Sequence, residues 1–146
     1  MKKAIVILLL IGATTVQAQS RPDRYDRDRP PVTVQRSFER EYRNSNNVTW
    51  SQNNGRWHAT YMDNNRNVEA YYDRNGRRLA THRDLDRNEI PRNLDNRINR
   101  MYHPNGDYRV RRIERPGQTS LFEVLINGVT MYLDEQGRKR AYSPRY

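Results

Sequence analysis

Residues 68–80 read VEAYYDRNGRRLA, and a similar stretch, VTMYLDEQGRKRA, occurs 61 positions later at residues 129–141. The matching positions hold a valine, a tyrosine, an aspartate, a glycine, an arginine and an alanine. The repeat continues upstream at an offset of 60 residues. There, Pro31, Val34, Phe38 and Tyr42 correspond to Pro91, Leu94, Ile98 and Tyr102. Self-similarity at a fixed period indicates a repeated structural unit. The sequence therefore predicts a tandem duplication.

Each unit reads as one helix followed by four antiparallel strands. A helix is predicted after each proline of the repeat, because proline is accepted in a first helical turn and apolar residues follow at helical spacing. Asn54-Gly55 and Asn127-Gly128 each separate alternating apolar and polar residues, which is typical of a β-hairpin. We therefore predict an α+β fold made of two such units, at residues 32–86 and 87–146, either as one body or as two apposed lobes.

Alternation along the strands predicts which side chains the helices cover. In the first unit these are Trp57, Ala59, Tyr61, Val68, Ala70 and Tyr72. In the second unit they are Phe122, Val124, Ile126, Val129, Met131 and Leu133, covered by a helix stripe of Leu94, Ile98, Met101 and Tyr102.

The first 31 residues are predicted to lie outside this fold. Residues 1–18 combine two lysines, an apolar run and a small-residue end, which is typical of a cleaved signal peptide. Residues 19–31 alternate in charge with few apolar groups, which indicates a disordered polar leader. We expect an exported protein, periplasmic or secreted, without a transmembrane anchor in the mature chain, and the absence of cysteine excludes disulfides and thiolate sites.

The chain is strongly basic, with 27 lysine and arginine residues against 17 acidic ones. Arginine accounts for 24 of the 27, and its planar guanidinium suits carboxylates and phosphates. Two interpretations remain open: the arginines serve an acidic partner, or they are dispersed among the acids and provide solubility alone.

The order of motifs resembles the PepSY-like family of exported bacterial proteins. The resemblance rests on Val48 and Trp50 and on two copies of a Y-x-D-x-x-G-R motif, whose positions are Tyr71, Asp73, Gly76, Tyr132, Asp134 and Gly137. The second copy departs from the pattern, with Val110 in the place of Trp50. The resemblance implies a β-lactamase-inhibitor-like fold, with the helices on one side of an extended sheet, and a binding or inhibitory module rather than an enzyme.

The residues themselves do not favour catalysis, a metal or a cofactor. His58, His82 and His103 are scattered, whereas a zinc site needs three or four convergent ligands. Asp73 and Asp134 each precede a turn glycine, where aspartate commonly accepts hydrogen bonds from nearby backbone N–H groups. We therefore expect no enzymatic activity.

The sheet side opposite the helices is the candidate binding face. We predict that its residues are Tyr71, Tyr132, His58, Thr60, Arg109, Arg111 and Arg138, since tyrosine and arginine are common interface anchors. The expected partner is an envelope protein or peptide, although the tyrosines could instead only pair across strands. An alternative partner is an acidic envelope polymer, such as lipopolysaccharide phosphates or acidic glycan; nucleic acid is the weakest option.

Overall fold

The computed structural model describes residues 29–43, 45–103 and 106–143. The predicted signal peptide and residues 19–28 of the predicted leader lie outside the described residues. Within them are two α-helices, α1 (Val32–Glu41) and α2 (Arg92–Tyr102), and a 3-10 turn at Arg87–Glu89. Seven β-strands accompany the helices: β1 (Asn46–Asn53), β2 (Arg56–Asp63), β3 (Arg66–Tyr72), β4 (Arg78–Leu85), β5 (Arg109–Glu114), β6 (Leu121–Ile126) and β7 (Val129–Leu133).

The strands form one antiparallel sheet in the order β1 to β7, in which each strand pairs with the next. Asn54-Gly55 and Asn127-Gly128 have positive φ at both residues, which the tight hairpin turns require. The turn between β2 and β3 uses Asn64 and Asn65 in the same way. Because β4 pairs with β5, the two predicted units share a single sheet instead of forming separate lobes.

In the described residues of the second predicted unit there are three strands and not four. Residues 138–142, predicted to form the eighth strand, contribute only an isolated bridge between Leu133 and Lys139. The Arg140 N–H then donates to the Tyr132 carbonyl at 2.9 Å. In the first unit β4 is held on both sides, by β3 and by β5. The segment beyond β7 has no partner on its far side among the described residues, so its pairing ends after one bridge.

Two apolar clusters lie on the same side of the sheet, because the register continues their positions from strand to strand. Helix α1 closes the first cluster: Val34, Phe38, Trp57, Ala59, Tyr61, Val68, Ala70 and Tyr72. Helix α2 closes the second: Ile90, Leu94, Ile98, Tyr108, Val110, Phe122, Val124, Ile126 and Leu133. The helix starts, the first-unit core and most of the second-unit core are therefore confirmed.

Two residues that were predicted to lie in the second-unit core are exposed. Met101 is 56% exposed, because it lies in the last turn of α2 at the margin of the stripe formed by Leu94 and Ile98. Val129 is 58% exposed, because it directly follows the Asn127-Gly128 turn on the edge strand β7. The predicted cover was wrong for both residues, although Val129 lies on the helix side of the sheet, opposite the core residue Ile126.

The two Y-x-D-x-x-G-R motifs form matching loops. Asp73 Oδ1 accepts from the N–H groups of Asn75 and Arg77, each at 2.9 Å. Asp134 Oδ1 accepts from the N–H groups of Gln136 and Arg138, at 3.0 and 2.9 Å. Both aspartates therefore organise turns, as their positions predict.

Candidate binding face

The side of the sheet opposite the helices is called the outer face below. The register assigns to it the residues that alternate with the two cores on strands β2 to β7. The main ones are His58, Thr60, Asn67, Glu69, Tyr71, His82, Asp84, Arg109, Arg111, Ile113, Leu121, Glu123, Leu125, Thr130 and Tyr132. Neither helix contributes to the contacts of this face, since both belong to the clusters on the other side.

Tyr71 lies flat on the outer face instead of projecting from it. Its ring stacks on the His58 imidazole with centroids 4.5 Å apart and planes 3° from parallel. The ring also contacts His82 at a centroid distance of 5.1 Å, and the hydroxyl donates to Glu69 at 2.7 Å. Burial, followed by the hydrogen bond to Glu69, raises the pKa of Tyr71. Tyr71 is therefore a neutral, ordered part of the surface.

Arg111 is the centre of an ion-pair network on the outer face. Its guanidinium contacts Glu69 at 2.6 Å, Asp84 at 2.8 Å and Glu123 at 3.9 Å. The His58 ring 3.7 Å away, with the Tyr71 hydroxyl and the Arg111 guanidinium, lowers the pKa of Glu69 well below its usual range, against the opposing effect of burial. Carboxylates from β3, β4 and β6 thus surround one arginine from β5 and fix its position.

The segment after the second motif loop covers part of the outer face. The Tyr142 ring lies 4.7 Å from the Tyr132 ring, and its hydroxyl is 3.4 Å from His82 Nε2. Ile113 and Leu121, whose strand positions place them on this face, are buried. Burial lowers the pKa of His82 to about 4, and the positive charge of Arg111 contributes. This part of the outer face therefore holds a small apolar cluster of its own, distinct from the two clusters on the helix side.

The rest of the outer face is open at β5, β6 and β7. A shallow groove of about 320 Å³ lies there, lined by Asn67, Asp84, Arg109, Arg111, Glu123 and Leu125. Leu125 is 37% exposed, and its cross-strand neighbours Arg109 and Thr130 are exposed as well. The groove therefore offers one apolar side chain between charged groups of both signs.

The structure brings together four of the seven residues assigned to this face by sequence: His58, Thr60, Tyr71 and Arg111. Thr60 Oγ1 is 3.4 Å from His58 Nε2 and completes that group. Arg109 borders the groove, and Tyr132 contacts Tyr142.

Arg138 lies elsewhere. Its Nε donates to Asp134 at 2.8 Å, within the motif loop whose Gly137 touches Arg97 of α2. Arg138 therefore belongs to the helix side of the molecule, because the loop turns toward the helix immediately after β7.

His82 and Tyr142 are among the outer-face residues that sequence reasoning missed. His82 lies on β4 opposite Glu69, so extension of the fourth predicted strand beyond Thr81 would have assigned it to this face. Tyr142 had no such signal, because its contacts depend on a segment that leaves the strand pattern.

In the part of the chain that the structure describes, no three histidine, cysteine, aspartate or glutamate side chains come together as a possible metal site. None of the helices in residues 29–43, 45–103 and 106–143 has the length and apolar character needed to cross a membrane.

Comparisons with solved structures identify the fold. A DUF2874 family protein from Bacteroides ovatus superimposes with a TM-score of 0.70 and 22% identity, over 78% of this chain and 86% of that one. A "putative periplasmic" protein from Bacteroides eggerthii gives a TM-score of 0.72 and 14% identity, over 77% and 87% of the two chains. A BLIP-like protein from Bacteroides fragilis gives 0.69 and 22%, over 77% and 84%.

Searches by sequence gave no match. No family model matches the chain. No curated protein matches it either. The identities to the solved structures are low, so the likeness concerns the fold alone. The chain has a BLIP-like α+β fold, in which two helices cover one side of a single antiparallel sheet.

Proposed function

We propose that this chain is an exported, non-enzymatic module that binds a protein or peptide through the outer face of its sheet. The observation that carries the proposal is the open side of a seven-stranded sheet, whose two helices both pack on the opposite side. Export is supported by the predicted signal peptide and by the likeness to a protein described as periplasmic. A sheet side without helices is normally either solvated or used for contact.

Rigid, preorganised side chains support binding at this face. Tyr71 is held by His58 and Glu69, and Arg111 is held by carboxylates on three neighbouring strands. Side chains that are already ordered lose little conformational entropy when a partner docks. Tyr71, His58 and Glu69 form an ordered surface next to Arg111. The groove at Leu125 lies beside them and is open to a partner.

The proposal of a non-enzymatic role is supported by the structural hydrogen bonds and ion pairs that the acidic residues make. Asp73 and Asp134 hold the turns of their own loops, and both engage arginine. Glu69 is ion-paired to Arg111, with its pKa lowered, so it is a poor proton donor or acceptor near neutral pH.

The duplication is part of the same proposal. In both units the motif loop lies against the helix at corresponding positions: Gly76 against Ser37, and Gly137 against Arg97. The offsets of 61 and 60 residues equal those of the sequence repeat. We attribute the single sheet to two fused copies of one unit, the second of which has lost most of its last strand.

The alternative partner, an acidic polymer, has less support at this face. The groove is lined by the carboxylates of Asp84 and Glu123 and by the guanidiniums of Arg109 and Arg111. A polyanion would find no excess of positive charge there.

The two partner classes differ in their response to salt. Purified mature protein would be used to capture ligands from a cell-envelope extract at about 50 mM and about 500 mM NaCl, because polyanion binding depends steeply on counterion release. A defined protein retained at both salt concentrations supports the proposal. Retention only of phosphate- or uronate-containing polymer, lost at the higher salt concentration, would replace it by the alternative.

A further inference from the structure

An arginine cleft opens at the end of the sheet where β5 turns into β6, mainly on the helix side but reaching Leu121 at the edge of the outer face. Its volume is about 590 Å³, and it lies between the start of α2, the hairpin β5–β6 and the second motif loop. Its cationic side chains are Arg112, Arg115, Arg138 and Arg140, and its apolar ones are Leu85, Pro91, Leu121, Phe122 and Ala141. Ligand pockets commonly occupy about 300–1,000 Å³. The cleft is therefore large enough for a small organic molecule.

The four arginines have fewer carboxylate partners than they can use. Arg138 and Arg140 share the single carboxylate of Asp134, at 2.8 and 2.7 Å. Arg112 contacts Glu114 at 3.1 Å. Within the described part of the chain, Arg115 pairs with no carboxylate, and its buried Nε–H finds no acceptor.

Arg115 is nevertheless held in place. Its guanidinium carbon lies 5.2 Å from the centre of the Tyr142 ring, which is a cation–π distance. Arg115 lines the cleft and pairs with no carboxylate among the described residues, so its guanidinium can donate to a bound anion there. Arginine also presents a fork of donors that matches carboxylate and phosphate groups.

The acidic residues at the cleft limit how much negative charge it accepts. Besides Asp134, the lining includes Glu89 and Glu135. Arg66 engages Glu89 at 2.9 Å, and hydrogen bonds in the loop together with Arg138 and Arg140 offset burial and lower the pKa of Asp134 to about 2. These fixed carboxylates would repel an extended polyanion. A ligand with one anionic group and an apolar remainder fits both parts of the lining.

We propose that the arginine cleft binds a small molecule or molecular end group in which one carboxylate or phosphate is attached to an apolar group. The anion contacts Arg115 and the outward edges of Arg112, Arg138 and Arg140, and the apolar group lies against Leu85 and Phe122. The cleft shares no lining residue with the groove at Leu125, so its test does not depend on the protein-binding function.

The probes are phenyl phosphate, phenylacetate and inorganic phosphate, titrated into uniformly ¹⁵N-labelled protein. The expected result is saturable movement of the arginine Nε–Hε resonances of the cleft by at least one phenyl compound. Tighter binding of phenyl phosphate or of phenylacetate identifies the anion. Inorganic phosphate is expected to bind more weakly. Equal binding of inorganic phosphate, or no saturable movement with any probe, would overturn the proposal.

Two substitutions assign the site, with one matched control. We expect Arg115→Gln and Arg140→Gln each to weaken binding about tenfold, the loss typical of one charge-assisted hydrogen bond. Arg100→Gln changes an exposed arginine of α2 that does not line the cleft, and it should bind like the unmodified protein. Arg115 does not contact Asp134, so the Arg115→Gln variant remains informative even if Arg140→Gln disturbs the loop. An equal loss in Arg100→Gln would contradict the assignment.

Discussion

Gly137 lies so close to Arg97 that a Cβ atom at this glycine would come within 2.4 Å of Arg97 Cγ. Gly76 has the corresponding relationship with α1, where a Cβ would come within 2.7 Å of the Thr33 carbonyl oxygen and 2.9 Å of Ser37 Oγ. Each motif glycine therefore allows its loop to touch a helix. These two contacts tie the helices to the ends of β3 and β7, in addition to the apolar clusters.

Substitution of Gly76 should destabilise the protein through this close approach. Gly76→Ala would introduce both a side chain at φ +81° and a clash with the backbone of α1. Gly55→Ala is the matched control, because Gly55 has a similar φ of +73° but nothing within 4 Å of the added Cβ. We expect Gly55→Ala to cost about 1 kcal/mol of unfolding free energy and Gly76→Ala at least about 1 kcal/mol more.

Urea denaturation of the two glycine variants measures this difference. Equal losses of unfolding free energy would mean that the loop of Gly76 does not lie against α1.

The two apolar clusters should respond separately to truncation. Trp57 and Phe122 are 5% and 3% exposed, and each belongs to a different cluster. We expect Trp57→Ala and Phe122→Ala each to lower the free energy of unfolding by about 3–5 kcal/mol, through lost burial and the cavity that remains. Thermal and urea unfolding measure the effect. A loss below about 1 kcal/mol for either variant would show that its side chain faces water.

The Arg111 network predicts an asymmetry between single and double substitutions. Arg111→Met leaves Glu69, Asp84 and Glu123 close together without their common cation, which should cost about 3 kcal/mol. Arg111→Met combined with Glu69→Leu removes the most buried of these charges together with its partner. The double variant should recover at least half of the loss, as measured by urea unfolding. A double variant less stable than Arg111→Met would contradict the network.

His82 should make the folded protein sensitive to mild acid. Its pKa is lowered from 6.5 to about 4 in the folded state, chiefly by burial. The unfolded chain then binds more protons at this residue between these values, so the contribution of His82 to stability is constant above about pH 6.5 and falls as the pH drops toward 4. The loss over this window is at most about 3 kcal/mol.

Urea unfolding at several pH values measures the contribution of His82. His82→Gln should flatten the dependence between pH 6.5 and 4. His103→Gln, at an exposed residue after α2, should keep the dependence of the unmodified protein. An unchanged slope in His82→Gln would place the acid sensitivity elsewhere.

Much of the fold was predictable because local signals agreed with one another. The turns at Asn54-Gly55 and Asn127-Gly128 fixed the hairpins, and alternation then assigned residues such as Trp57 and Phe122 to the core. The prediction of an eighth strand was wrong, because the segment after β7 lacks, among the described residues, the second neighbouring strand that β4 has. A repeat copies local sequence but not its surroundings.

The sequence predicted which side chains lie on the candidate face, but not how they are arranged there. Alternation placed Tyr71 and Arg111 on the outer face, but their flat, ion-paired arrangement depends on residues from neighbouring strands. The cover provided by Tyr142 joins residues 60 positions apart, at His82 and Tyr142, and no local pattern encodes that contact.

Two matched substitutions test the claim that the outer face binds a protein. Leu125 and Val129 are both exposed aliphatic residues near the same turn, but they belong to opposite sides of the sheet. Envelope-extract proteins captured by Leu125→Arg, by Val129→Arg and by the unmodified protein would be compared at about 500 mM NaCl, where exposed charge effects are largely screened. We predict a defined protein that Val129→Arg retains and Leu125→Arg loses. Retention of the same proteins by both variants, or a loss confined to Val129→Arg, would contradict the claim.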